Sequence, residues 1–469
     1  MKPRRLHLDP HAWRASRNLE RLIQQRWPAV IFTLLATSLG AAGAGLLFKT
    51  GVGWLGSWRL SLLELGSPWL VLPLLGAAGG LLSGLLVQHL APAAAGSGIP
   101  HVMRFLGRQQ IPMQLRVAVV KLVAGILAIG SGFPLGPEGP SVQMGSSVGW
   151  QLAHWFKAPP SLIRVIVAAG GGAGIAATFH APLGGFFYAI EELLRQAGPV
   201  LLLLVFVTTF MGSFWADLMG LASMGDKAAG IGGGGFQLVS EYNPDLNFLL
   251  SDLIYLVVLG AVVALLAELY TRYVVKMQSL GLRWFPNRLV LRMLIGGFVI
   301  GLVYAALPNE FRDNAGLQHA IADGHVNVDK AFAIFLLLFF GTGLAAATGA
   351  PGGLFAPMLT LGGSIGLIAA GWAEMTTGHA PTTFVFAGMA AFIAACARTP
   401  ITAVFLVFAL TKNLLILKPL LVSAVASTVM AMILHEKSIY KRQLHLLQPE
   451  PKAEEGFKLN SSPLSPQDL

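Results

Sequence analysis

Apolar residues in this chain gather in long unbroken runs rather than in amphipathic stripes. Runs lie near 28 to 48 (PAVIFTLLATSLGAAGAGLLF), 69 to 91, 117 to 133, 163 to 177, 182 to 194, 199 to 222 and 249 to 270. They continue near 292 to 307, 331 to 348, 357 to 374, 383 to 396, 400 to 411 and 414 to 434. A segment apolar on every side is buried all round, and crossing about 30 Å of hydrocarbon takes roughly 20 helical residues. The longer runs therefore predict membrane-spanning helices. The shorter ones, broken by Gly and Pro, predict buried half-helices whose ends meet inside the membrane. The fold class is an all-α polytopic membrane protein.

Composition narrows this further. Of 469 residues, 55% are hydrophobic and 12% charged, and the mean hydropathy is +0.67. That charged share is about half of what a soluble domain carries, which excludes a soluble enzyme and a disordered chain. Cys396 is the only cysteine and sits in an apolar stretch, so a disulfide scaffold is excluded and its expected role is packing. The net charge of +10 does not imply nucleic acid, because the basic residues collect at segment ends. The bilayer is the expected partner.

Charge also sets topology. Residues 1 to 27 form a basic segment (Lys2, Arg4, Arg5, Arg14, Arg17, Arg21, Arg26) that predicts a cytoplasmic N-terminus, and it is too long and polar for a signal peptide. Basic loops at 104 to 121 and 272 to 292 read as cytoplasmic. The acidic-leaning loops 223 to 248 and 309 to 330 read as external. The domain plan is a first membrane repeat over 28 to 222, an external loop over 223 to 248 and a second repeat over 249 to 434. A cytoplasmic, partly disordered tail follows over 435 to 469.

The two halves superimpose with a shift of about 217 to 218 residues. Gly136-Pro-Glu-Gly-Pro140 falls on Gly353-Leu-Phe-Ala-Pro357, and Met144–Gly149 falls on Leu361–Gly366. AGGGAGIAATFHAP at 169 to 182 falls on AGMAAFIAACARTP at 387 to 400, with about half the positions identical. A nearly constant shift across three blocks indicates duplication. Identity alone does not say whether the halves are parallel or inverted.

No GxxxxGK[ST], HExxH or paired CxxC occurs, so no apparatus for ATP hydrolysis, metal binding or enzymatic catalysis is visible, and no cofactor or metal is expected. The GxGxxG-like runs at Gly230–Gly235 and Gly172–Ala177 lack the strand-turn-helix setting of a dinucleotide site. Three Gly/Pro segments differ in kind: Gly96-Ser-Gly-Ile-Pro100, Gly136-Pro-Glu-Gly-Pro140 and Gly353-Leu-Phe-Ala-Pro357. Each interrupts apolar sequence and reads either as a packing kink or as a buried helix start with free amides. Several such starts converging at the bilayer midplane would hold an anion without a full cationic charge.

Glu138 stands alone among small and apolar residues, where an ionised carboxylate pays a large desolvation cost unless donors surround it. Beside amide donors it could occupy an anion's place when charged and leave when protonated, serving as both gate and proton carrier. Glu191 and Glu192 lie one turn before Arg195, as either an interfacial charge pair or a proton entry point. Their counterparts in the second repeat are Ala409 and Leu410.

GSGIP, GxEGP and GGLFAP in this order, with a late tyrosine in KSIYKRQ, resemble the bacterial-type CLC chloride channels and chloride/proton exchangers over about 30 to 442. The resemblance implies a homodimer of the inner membrane with both termini cytoplasmic, one pore per subunit, and inverted halves of tilted, broken helices. It implies that Ser97, Tyr440 and the amides of Leu354 and Phe355 contact the central anion, with Gly136, Gly139 and Gly353 in the anion-binding segments. Glu138 would be the external gate and Glu192 the internal proton-transfer acid, with Glu191 beside it. The transported species would be chloride and protons, with chloride favoured over nitrate by serine at position 97. A passive chloride channel of the same fold is the alternative, and fluoride or nitrate transport would be a change of substrate on the same scaffold. The usual GREGP reads GPEGP here, so Pro137 deletes a donor and a positive charge near the outer anion position. Met103 and Ala409 stand where many relatives carry an acid.

Overall fold

The computed structural model describes residues 27–195, 198–223, 252–322, 327–377, 383–411 and 413–446. The basic N-terminal segment, the loop at 224–251 with its Gly230–Gly235 run, and residues 447–469 lie outside the described residues. The first half contains α1 (Trp27–Ser61), α2 (Pro68–Leu90), α3 (Ile99–Leu106), α4 (Leu115–Gly130), α5 (Glu138–Trp155), α6 (Pro160–Phe179), α7 (Pro182–Tyr188) and α8 (Pro199–Ser223). The second contains α9 (Asp252–Trp284), α10 (Leu289–Ala305), α11 (Asn314–Ala322), α12 (Val328–Thr348), α13 (Phe355–Thr377), α14 (Thr383–Ala397), α15 (Pro400–Thr411) and α16 (Leu417–Leu434). A last helix, α17 (Ile439–Leu446), follows. Eight stretches among the described residues are long and apolar enough to cross a membrane.

The helices correspond one to one across the halves. Glycine pairs at equivalent positions make this correspondence physical. In the first half a Cβ on Gly145 would collide with the Gly170 carbonyl and one on Gly170 with Gly145. In the second half Gly362 and Gly388 stand in the same mutual relation. Only the absence of a side chain lets α5 lie against α6 and α13 against α14 this closely, the means by which helices associate where lipid offers no hydrophobic drive.

Between the halves, Gly76 of α2 and Gly297 of α10 meet reciprocally. Gly136 and Gly353 form a reciprocal antiparallel bridge, with N···O distances of 2.9 and 2.7 Å. Mutual contacts between equivalent residues place a local two-fold axis through both pairs. The late residues of α1, Lys49 to Leu60, line a cavity with Asp313 and His319. Those of α9, Gln278 and Leu282, line a different one with Leu446 of α17. Equivalent helices thus run in opposite directions, and the repeat is inverted. The two faces are called below the Arg59 face and the α17 face.

The first part of the segment expected to form a cytoplasmic tail folds back as α17, with Ile439 and Tyr440 wholly buried in the main apolar core.

Candidate functional site: three broken helices around Glu138

Three chain breaks meet at one point. α3 starts after Ser97, which is flanked by Gly96 (φ 65°) and Gly98 (φ 88°), a left-handed path that glycine adopts without strain. α5 starts at Glu138 and α13 at Phe355, each with a proline in its first turn (Pro140, Pro357) where the missing N–H costs nothing. A Cβ on Gly139 would lie 2.5 Å from the Ser97 carbonyl oxygen and 3.1 Å from Cα of Gly353. The three Gly/Pro segments singled out in the sequence are therefore in mutual contact.

The side chain of Glu138 is fully buried, and it reaches across the junction to the start of α13. Its Oε1 accepts a hydrogen bond from the Phe355 amide, and the Ala356 amide also faces the carboxylate. Oε2 has no partner. The carboxylate lies between the two bridging glycines, since a Cβ on either Gly136 or Gly353 would occupy its space. One helix of the first half thus inserts a negative group into the partial positive charge at the start of its counterpart.

This corrects one expectation. The N–H groups of Gly136 and Gly353 go to each other's carbonyls, so neither amide is free to hold an ion. These glycines instead create the room in which the carboxylate lies. Leu354 and Phe355 are buried at the start of α13, where the first amides of a helix have no intrahelical partner.

Around Phe355 lie buried hydroxyls without partners. The Phe355 ring packs edge-to-face on Tyr440 (centroids 5.9 Å) and on Tyr188 (5.8 Å). The hydroxyls of Tyr440, Tyr188 and Ser97 are all unpaired. Buried polar groups are ordinarily satisfied, so the tyrosine hydroxyls on the Phe355 ring and the Ser97 hydroxyl at the adjoining start of α3 are open to a ligand that accepts hydrogen bonds. Sequence reading missed Tyr188, which is hidden in the apolar run HAPLGGFFYAI.

Tyr440 owes its place to a buried ion cluster, also missed. Glu268 of α9 is 6% exposed. It accepts from Arg442 of α17 at 2.5 Å and from Arg272 at 2.7 Å, with Arg398 3.9 Å away. Arg398 in turn donates to the carbonyls of Ala431 and His435 at 2.8 Å, closing the end of α16. Arg442 is two residues from Tyr440, so this cluster ties the short α17 to the membrane helices.

The acid pair separates. Glu191 accepts from Ile401 N (3.2 Å), Thr402 N (2.8 Å) and Thr402 Oγ1 (2.6 Å), capping α15 of the other half. Its oxygens are committed to that cap. Glu192, one residue on, lies in a π-helical turn (Ala189–Leu194), a distortion frequent at functional sites. It is buried, with Oε2 3.5 Å from Arg195 and Oε1 unpaired. It borders a cavity of about 320 Å³ on the α17 face together with Arg195, Lys437 and Lys441. Ser97 borders a separate cavity of about 200 Å³ on the same face. On the Arg59 face a cavity of about 270 Å³ reaches Pro137 and Ala356, beside Glu138, and is lined by Lys49 and Arg59. Among the described residues, the Arg59-face cavity and the Ser97 cavity thus approach the junction from opposite faces.

The family profile described as voltage gated chloride channel matches residues 79–432. The chain belongs to this CLC family. Among CLC relatives, the H(+)/Cl(-) exchange transporter ClcA of Klebsiella pneumoniae is 30% identical over 460 residues, 95% of each chain. That of Cronobacter sakazakii is 31% identical over 447 residues, covering 92% of this chain and 93% of the relative. A solved slow cyanobacterial Cl-/H+ antiporter superimposes with a TM-score of 0.79 at 27% identity, over 89% of this chain and 98% of that one. A CLC-type fluoride/proton antiporter shares the fold at a TM-score of 0.70 and 19% identity. The CLC architecture expected from the motifs is thus present over nearly the whole described chain.

Proposed function

We propose that this CLC protein is a chloride/proton antiporter in which Glu138 is both gate and proton carrier. The observation that carries this reading is the seat of its carboxylate on the Phe355 amide, next to the open hydroxyls of Ser97 and Tyr440. A charged carboxylate there does what a halide would do: it accepts hydrogen bonds from a helix start. Protonation removes that charge, so chloride can take the amide and hydroxyl donors while the neutral side chain moves toward the Arg59 face. Release of the proton on that side restores the competitor and expels the anion. One group claimed in turn by a proton and by an anion's seat couples the two fluxes.

The openings on the α17 face divide the traffic. Chloride enters past Ser97 and Tyr440, and protons enter at Glu192. The α17 face is cytoplasmic in this reading, because the basic loops near Arg104 and Arg292 border its cavities while Asp313 borders the other. The unit is taken as a homodimer in the plasma membrane, as the family resemblance implies. Chloride is the substrate favoured by Ser97 and by the relatives named as chloride exchangers.

Reconstituted in liposomes with a chloride gradient and no proton gradient, the protein is expected to pump protons against an imposed voltage. Chloride flux without any proton movement would leave the passive channel. Competition by fluoride and nitrate in the same flux assay ranks the substrates.

A further inference from the structure

Protons reach Glu192 from the α17 face, and the acid beside it is not free to deliver them, because Glu191 is taken up by the cap on α15. Among the described residues, Glu192 is the only acid that lines the cavity of about 320 Å³ at this point. The other charged residues on its wall are Arg195, Lys437 and Lys441, and α3 adds only the apolar side chains of Met103 and Leu106. Three cations repel a hydronium ion. A proton therefore crosses this cavity more easily by transfer from a group that is neutral before it receives one.

His445, near the end of α17, has the chemistry and the place. It lines the same cavity and is exposed to the surrounding water, and imidazole is the side chain best suited to shuttling protons near neutral pH. Lys437 Nζ lies 3.0 Å from its Nε2. An ammonium can only donate, so the ring accepts at Nε2 and carries its own hydrogen on Nδ1. One nitrogen receives a proton while the other is ready to give one up. An open acceptor stands on the same wall: Glu192 is 4% exposed and its Oε1 has no partner. The cavity has room for about ten waters at about 30 Å³ each, enough to join the ring to that oxygen. Of the other charged groups near the ring, Lys441 lies one turn back on the same face of α17, Arg195 is 3.5 Å from Glu192 Oε2, and Arg442 is turned away onto Glu268.

We propose that His445, held by Lys437, collects protons on the α17 face and passes them through water in the cavity to Glu192. This deepens the exchanger reading and rests on it. In the transfer the Lys437 Nζ–H bond breaks as an Nε2–H bond forms, and the Nδ1–H bond breaks as a proton moves through water onto Glu192 Oε1. Lys437 then takes a proton from solvent, and exchange of the exposed ring with water restores the starting tautomer. Only the transported proton is used.

The test uses the full chain in liposomes, with chloride and proton fluxes recorded together while the pH on the α17 side is varied. His445→Gln should lower proton flux about 100-fold, the lower end of the roughly 10²- to 10⁴-fold range for a positioned proton-transfer group, while chloride still moves. Lys437→Met should lower it by a smaller factor, because the ring remains. Imidazole added on the α17 side should restore proton flux in His445→Gly and leave Glu192→Gln as it was, a rescue that a merely structural role of the ring would not give. A normal proton-to-chloride ratio in His445→Gln at every pH overturns the proposal, as does failure of imidazole to restore coupling in His445→Gly. Wild-type protein that moves chloride without protons would instead overturn the exchanger reading.

Discussion

The two halves of this protein share one fold and do different work at the same position. At the start of α5 the first half places a carboxylate, Glu138; at the start of α13 the second half places Phe355, whose amide receives it. Gly136 and Gly353 bridge the two breaks symmetrically, and the symmetry ends one or two residues later. The same holds at the π-turn after α7, where Glu191 and Glu192 face Ala409 and Leu410 in the matching stretch of the second half. Duplication supplied two opposed helix starts that can share an anion between them. Divergence then put every acid of the proposed proton route into one half, so that a proton on the first half controls access of an anion to the α13 start of the second.

The sharpest way to break this comparison is to remove the charge from one side of it. Glu138→Gln should abolish proton pumping altogether while chloride still moves, because a neutral amide cannot carry the proton; paired flux recordings check this. Next in size, Glu192→Gln should reduce coupled proton flux at least about 100-fold, the lower end of the roughly 10²- to 10⁴-fold range expected when a positioned proton-transfer group is lost, with chloride flux retained. If the ratio of the two fluxes stays normal, the asymmetry of the acid pair has no role in coupling.

Smaller effects sharpen the comparison further. Glu268→Gln weakens the tie on α17, a helix outside the eightfold correspondence, and should change the flux ratio a few-fold by loosening Tyr440, much as removing one partner disturbs any buried ion pair. In a Tyr440→Ala background the same change should add nothing. Glu191→Gln should leave the flux ratio intact and cost about 1 kcal/mol of stability, the worth of a charged helix cap, read as a lower unfolding temperature in detergent. Loss of coupling in Glu191→Gln would place it in the proton route after all.

The apolar runs delimited most lipid-facing helices to within a few residues, because lipid demands a hydrophobic surface over a fixed length. They missed α3, α5, α11 and α17. The Gly- and Ser-rich α5 illustrates why: it is covered by other helices, so nothing requires its residues to be apolar. Three of these four helices build the site, which was therefore legible through the Gly/Pro breaks and the lone Glu138 rather than through hydropathy.

That the protein spans a membrane, that it is duplicated, and that Ser97, Glu138 and Phe355 stand at breaks in apolar sequence could be read from the chain alone. Local composition settles these points, since burial in lipid, glycine's freedom and proline's missing donor act over a few residues. The inversion of the halves, the use of the Gly136 and Gly353 amides in a bridge, the capping role of Glu191, the packing of Tyr188 and Tyr440 on Phe355 and the ion cluster at Glu268 came only with the three-dimensional arrangement. Those depend on which residues distant in the chain become neighbours. That is fixed by how closely bare glycine surfaces let helices approach, a property of pairs of segments that no single stretch of sequence carries.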